Sequence, residues 1–345
     1  MVAASLLVWE TQEHLMDSTR PFRFGILGPG GIAQSAHGPA LKALATEGVA
    51  KLWSVCGRHI DRVEEFAHDF GATAPHAVHN NMDAFLADPE LDAVIVCTRD
   101  ALHAKHAVAA MRAGKHIFVE KPMATTESDA FHMVHVAEQT ERAIGVGYHM
   151  RYHPGHRALR VLIGSGTLGE ISQIELDWST LSMPADGWRA SGANSRWFAL
   201  AALGTHALDL AAWLAGQPIR SMLAESESVR RGIMADERVR IAALHGDGTQ
   251  SRISVSVVDP PQKLLIVHCE AGTVRCFDTL GSRGTGTIIL PNGNLLPFVP
   301  PNPYVEQLRA YVEAVRDNRK PEVNGDVGLQ NVRWLEMADV QMTRR

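Results

Sequence analysis

The residues with the clearest chemical spacing lie in Phe24-Gly25-Ile26-Leu27-Gly28-Pro29-Gly30-Gly31-Ile32-Ala33. A short apolar run enters this stretch and a helical pattern leaves it towards Thr46, so the small residues occupy a strand-to-helix turn. Gly28-x-Gly30-x-x-Ala33 at such a turn has the spacing of a dinucleotide-binding loop. Gly28 permits the sharp turn, and Gly30 leaves room for a pyrophosphate against the backbone. Ala33 lets the helix pack closely on the strand. The open amides around Gly31 and Ile32, with the partial positive charge of the helix start, favour an anionic ligand.

Two further groups extend that chemistry. Glu120-Lys121-Pro122 follows the apolar run beginning at His116, on the same sheet edge as the glycine turn. A lysine there reaches the nicotinamide end of a dinucleotide, where an ammonium stabilises oxyanion character as hydride leaves or arrives. Pro122 stiffens the loop, with a cis bond as one means. Arg58 follows the strand pattern Ala50 to Cys56, where NAD-selective proteins often place an acidic residue for the ribose hydroxyls. An arginine there favours a ribose phosphate, hence NADP over NAD; the alternative is a solvated residue at a helix start.

These groups need elements to hold them. The 345 residues are 46% hydrophobic and 21% charged, enough for two domains with sizeable cores. Residues 1–20 read as an N-terminal extension, with Met16 as an alternative start; 21–148 read as a Rossmann domain and 149–345 as a substrate-binding and oligomerisation domain. Strand patterns at Ala50–Cys56, Leu91–Cys97, His116–Glu120 and Ala143–Tyr148 alternate with helices such as Asp61–Phe70, one ending near Gly114, and one starting at Thr126. This alternation predicts a doubly wound parallel sheet with ligands at the strand carboxyl ends.

Beyond residue 149 the pattern changes to an α+β domain. A helix is predicted over Arg151–Ile163. Alternating segments near 171–180, 220–229, 238–245, 251–258, 264–270 and 273–278 predict a large, mainly antiparallel open sheet. Gly246-Asp247-Gly248 and Ala271-Gly272 supply hairpin turns, and a helix interrupts the strands at Gly204–Leu214. Helices at Tyr304–Asn318 and Gly328–Met342 close the chain and can return to the first domain.

The net charge of -5 leaves no basic footprint for nucleic acid. The apolar run 199–216 contains His206 and Asp209, which fits a buried helix rather than a membrane span. Met1–Trp9 lacks the character of an export signal. The cysteines at 56, 97, 269 and 276 have no metal or redox spacing. A cytoplasmic protein is expected. His149, His153 and His156 suggest metal-ligand spacing, but Pro154 breaks the helix that would align them, so no metal is assigned. His132 and His135 read as a solvated helix face.

Taken together, Gly28-x-Gly30-x-x-Ala33, Ala113-Gly114-Lys115-His116, Glu120-Lys121-Pro122, Arg151-Tyr152-x-Pro154 and Gly204-Thr205-His206-x-x-Asp209 make the chain resemble the Gfo/Idh/MocA family. The resemblance implies a nicotinamide-dependent oxidoreductase acting on a secondary alcohol or ketone of a sugar, cyclic polyol or related small molecule. It implies a homodimer or homotetramer formed through the second sheet. Lys121 and His206 would be catalytic, with His206 handling the proton. Gly28, Gly30, Gly31, Ile32, Ala33, Arg58, Thr98, His103, Glu120, Lys121 and Pro122 would serve the cofactor. Lys121, Arg151 and His206 would serve the substrate. Trp188, Arg189 and Arg196 flank the variable loop before the His206 helix and are cleft candidates by position, with Arg196 preferred for holding an anionic or carbonyl group. Trp178 reads rather as a sheet residue in the core or a subunit interface.

The chain departs from the family pattern at informative positions. Many family dehydrogenases carry an aspartate four residues before the histidine; here Ala202 stands there. The two glycines usual just before it are replaced by Trp197-Phe198-Ala199, and the proline after Thr98 by Arg99. A less hydroxylated substrate and a tighter, more apolar pocket are the expectations. A dihydrodiol or other non-sugar dehydrogenase and a cofactor-binding regulatory protein are the alternatives.

Overall fold

A computed structural model describes residues 20–344 except 182, 185–186, 191–195, 234 and 300–301. The expected extension over residues 1–19, including the alternative start at Met16, lies outside the described residues.

The first sheet is built from β1 (Phe22–Leu27), β2 (Ala50–Cys56), β3 (Val78–His79), β4 (Ala93–Val96), β5 (His116–Val119) and β6 (Ile144–Val146). Its order is β3-β2-β1-β4-β5-β6 and its pairings are parallel. Both faces are covered, which is why the strand sequences are continuously apolar rather than alternating. Ala93 and Ile95 face one core with Leu41 and Leu44 of α1 (Gly38–Thr46) and Phe66 of α2 (Ile60–Phe70). Short α3 (Met82–Leu86) follows β3. Val94 and Val96 face the other core with Met111 of α4 (His103–Arg112) and Met133 of α5 (Glu127–Thr140). Thr126 caps α5 by accepting from Asp129 N at 3.1 Å. The chain leaves β1 and β4 in opposite directions along the sheet, opening a crevice beyond their carboxyl ends.

The helix predicted from Arg151 begins about one turn later than the periodicity suggests. A tight turn spans His149–Tyr152, and α6 runs over Pro154–Gly164 rather than from Arg151. Proline is suited to the first helical position, and His153 Nδ1 caps the helix by accepting from Gly155 N at 3.1 Å.

An eight-stranded sheet follows, from β7 (Ile171–Ser179), β8 (Ile219–Glu227), β9 (Arg238–His245), β10 (Gln250–Ser256), β11 (Gln262–Cys269), β12 (Gly272–Phe277), β13 (Thr287–Ile289) and β14 (Met342–Arg344). The order is β13-β12-β11-β7-β10-β9-β8-β14. Most neighbours are antiparallel, but β7 pairs parallel with β10 and β14 parallel with β8. Alternate residues such as Ile174, Val239, Ile253 and Val267 face a core shared with Leu208 and Ala211 of α7 (Thr205–Ala215).

Two closing helices, α8 (Pro303–Arg316) and α9 (Gly325–Val340), each start one to three residues before the predicted positions. α8 returns to the first sheet, where Tyr311 donates its hydroxyl to Ile117 O at 2.8 Å. Among the described residues, no helix is long and apolar enough to cross a membrane.

Candidate active site

A cavity of about 790 Å³ opens at the carboxyl ends of the first sheet, within the usual ~300–1,000 Å³ of small-molecule sites. The loop after β1 forms its floor. Gly28 has φ +92°, and a Cβ there would stand 2.9 Å from Thr98 Cγ2, so both conformation and space require glycine. Gly30 and Gly31 differ: a Cβ on either would meet nothing within 4 Å. The cradle above them is open, as an incoming pyrophosphate requires. Ala33 is fully buried below this floor, at the start of a wider π-type turn over Ala33–His37. It serves helix packing and does not line the cavity.

Arg58 lines one end of the cavity, joined by exposed His59 and Arg62 and by Asn80. Thr98 lines the middle, its Oγ1 lying 3.0 Å from His106 Nδ1. His103 spans two loops, with Nδ1 2.8 Å from Pro122 O and Nε2 3.0 Å from Thr98 O. It thus clamps the loop after β4 to the loop after β5. The Lys121–Pro122 peptide is cis, and Pro122 itself is not on the cavity wall.

Lys121 marks the other end. Its Nζ donates to Ala202 O at 2.8 Å and Ala201 O at 3.3 Å. Those carbonyls belong to a second π-type turn, Leu200–Gly204, that leads into α7. The turn is fixed by Asp236, whose carboxylate accepts from Phe198 N at 2.7 Å and Leu200 N at 2.8 Å. Ala202 therefore meets Lys121 through its backbone carbonyl. Burial, reinforced by Arg189, lowers the Lys121 pKa to about 8 against the pull of Glu120 and Asp100.

Glu120 is buried, and its Oε1 lies 2.8 Å from His37 Nε2. Burial raises its pKa, but the bond and charge of His37, with Lys121 and His149, outweigh this and hold it at about 2. Glu120 is consequently an anion that anchors the base of the lysine loop.

His206 stands one turn past the Lys121 acceptors, at the start of α7. It is 3% exposed, edge-on to His149 with ring centroids 4.7 Å apart and 6.0 Å from Trp178. Its Nδ1 has no hydrogen-bond partner among the described residues. Burial first, then Lys121, His149 and Arg189, push its pKa well below the ordinary value. A neutral imidazole with an open nitrogen can accept a proton. His206 lies behind the cavity wall rather than on it.

Three expectations are corrected. Arg151 does not face the cavity: its guanidinium pairs with Asp209 at 2.8 and 2.6 Å, and Asn331 also donates to that carboxylate at 2.9 Å. Arg196 is likewise taken by Asp339 at 3.0 Å and by Glu336. Trp197 and Phe198 do not narrow the pocket, because both are buried in the second-domain core. The cleft candidates that do line the cavity are Trp188 and Arg189. Arg189 bonds bidentately to Asp100 at 3.0 and 2.8 Å and stacks 4.4 Å over the Trp188 ring. The importance of Asp100 and Asn80 escaped sequence reasoning. Asp100 had a signal in Thr98-Arg99-Asp100 after β4, whereas Asn80 follows a two-residue strand and had none.

The three histidines with metal-ligand spacing have other partners: His149 Nε2 donates to Gly281 O, His153 Nε2 to Thr285 O, and His156 Nδ1 to Met150 O.

Comparison with known proteins agrees with this geometry. Residues 22–148 match the family described as "Oxidoreductase family, NAD-binding Rossmann fold", and residues 156–275 match the "GFO/IDH/MocA C-terminal domain". The chain is 26% identical over 316 residues to the 1,5-anhydro-D-fructose reductase of Ensifer adhaerens, covering 89% of this chain and 92% of that protein. It is also 26% identical to the 4-carboxy-2-hydroxymuconate-6-semialdehyde dehydrogenase of Sphingobium sp., covering 94% and 99%. The fold superposes with a TM-score of 0.84 on the aldose-aldose oxidoreductase of Caulobacter crescentus, at 22% identity and covering 93% and 97%. With both domain matches falling in family order around the Lys121 site, the chain belongs to the GFO/IDH/MocA family of NAD(P)-dependent oxidoreductases.

Proposed function

We propose that this oxidoreductase works at the junction of Lys121 and His206 on a secondary alcohol or ketone of a small polar molecule, with NADP as the preferred cofactor. The observation that carries the reading is Lys121 Nζ, held on Ala201 and Ala202 carbonyls between the open glycine cradle and the His206 helix. The dinucleotide, when bound, supplies the hydride donor or acceptor. Gly28, Gly30 and Gly31 let it approach the backbone, and the amides of that turn meet its diphosphate. The Lys121 ammonium polarises the reacting oxygen and stabilises negative charge on it. Neutral His206, behind the Lys121 wall, takes the hydroxyl proton through one bridging water during oxidation and, once protonated, returns it during reduction.

Arg58, His59 and Arg62 support NADP, since they line the end where a ribose phosphate would sit. Charged and polar side chains around Lys121 favour a polar substrate over an apolar aromatic diol. The open face of the second sheet carries exposed Leu223, Leu244 and Phe277, which supports association through that face. Four free cysteines support a cytoplasmic setting.

The test is nicotinamide absorbance with NADP and NAD, in both directions, across polyols, aldoses, keto-sugars and aromatic diols. Wild type, Lys121→Ala and Arg58→Ala are compared. Turnover abolished by Lys121→Ala with cofactor binding retained is the expected result, with Arg58→Ala lowering the NADP preference. Cofactor binding without turnover on any member would favour a regulatory protein.

A further inference from the structure

Among the described residues, the substrate end of the cavity is rich in hydrogen-bond donors and poor in acceptors. Its donors include the Lys121 ammonium, which uses two carbonyls and keeps further N–H capacity. Arg189 engages Asp100 through Nε and Nη2 only, so Nη1 stays outside that pair on a side chain that lines the cavity. Both carboxylates of the lining are committed: Asp100 to Arg189 and Glu120 to His37. A polyol needs acceptors for its hydroxyl protons, and among the described residues this wall offers few. An anion needs what the wall supplies.

We infer that the substrate carries a carboxylate beside its reacting carbon, and that Arg189 is the residue that receives it. The inference rests on the oxidoreductase reading for the position of the reacting carbon, but the anion site itself does not depend on turnover. Asp100 sets the strength of the site. It is 1% exposed and holds the guanidinium in a fixed plane, while cancelling part of its charge. Trp188 covers one face of the guanidinium, 4.4 Å away. Lys121 then meets the hydroxyl or carbonyl oxygen while Arg189 meets the carboxylate, which orients the carbon between them. The direction in which Arg189 moves the Lys121 and His206 protonation equilibria agrees with all three lying within electrostatic reach.

The test is equilibrium binding to the full-length enzyme saturated with NADPH, read by nicotinamide fluorescence and by calorimetry. The probes are matched pairs: D-glucuronate and D-glucose, D-galacturonate and D-galactose, D-gluconate and sorbitol. Wild type is expected to bind at least one acid ~10-fold or more tighter than its neutral partner. Arg189→Gln should cut that ratio to ~3-fold or less, whereas Asp100→Asn should raise it, because it removes the opposing charge and keeps the receptor. A pair that merely braces the fold would lose in both variants, so opposite signs separate the two cases. No acid preference in any pair, or ratios that move together, would overturn the inference. Acid-selective binding without hydride transfer would leave it standing and remove the catalytic roles of Lys121 and His206. Turnover without acid preference would do the reverse.

Discussion

Arg151 was read from the sequence as a substrate residue, and the structure makes it a brace; the two roles separate cleanly under mutation. Asp209 is 1% exposed in the second-domain core, and Arg151 meets both its oxygens at 2.8 and 2.6 Å. Arg151→Met keeps much of the stem volume but leaves a buried carboxylate with Asn331 as its remaining side-chain donor. Breaking one side of a buried pair costs about 3–5 kcal/mol, largely the penalty of an uncompensated charge. Replacing both partners by apolar groups removes that penalty, so Arg151→Met/Asp209→Leu should recover at least ~2 kcal/mol of the loss. The assay is urea unfolding at pH 7 of wild type, both single variants and the double, with KM measured alongside. A single variant within ~0.5 kcal/mol of wild type, with KM raised tenfold or more, would refute the brace and return Arg151 to the substrate.

Two other outcomes follow from local geometry. Gly30→Ala should raise the cofactor Kd at least ~10-fold while holding or slightly raising stability, because its Cβ would enter only the open cradle; isothermal titration and thermal unfolding of the same sample check both halves. Asp236→Asn should cost ~1–3 kcal/mol, since an amide cannot accept from both Phe198 N and Leu200 N, and burial already raises the aspartate pKa to about 6. A raised carboxyl pKa means that proton uptake favours the folded state, so Asp236 opposes folding most above pH 6 and less as pH falls towards its unfolded value. The Asp236→Asn deficit measured by urea titration should therefore be larger at pH 5 than at pH 7.

The parts of this molecule legible in its sequence are those governed by short-range rules. The Gly28 turn, the apolar strands of the first sheet and the cap at Thr126 each depend on neighbours a few residues away. Lys121 was legible because it directly follows a strand on the crevice edge. The side-chain partners were not. Arg151 and Asp209 are 58 positions apart, and Arg189 and Asp100 are 89 apart. No spacing announces which of several arginines a fold will consume internally, so Arg196 was preferred to Arg189 when the cavity uses the latter. The π-type turn at Leu200–Gly204 was hidden for another reason. It depends on Asp236, from a distant loop, holding its first amides, and its apolar residues read equally well as ordinary helix. Trp197 and Phe198 looked like pocket residues because they stand where the resemblance leads one to expect glycines, yet their side chains turn into the second core.

The central claim is that the Lys121 ammonium, displaced by burial to a pKa of about 8, polarises the reacting oxygen. The pH dependence of kcat/KM in the alcohol-oxidising direction tests it most directly, measured for wild type and Lys121→Arg, because the neutral His206 that direction requires is already present throughout the range. Wild type should lose activity about tenfold per pH unit above pH 8, as the ammonium deprotonates. Lys121→Arg should be slower at neutral pH but flat through that range, since a guanidinium keeps its proton. An alkaline limb that survives unchanged in Lys121→Arg would assign the titration to another group and contradict the account.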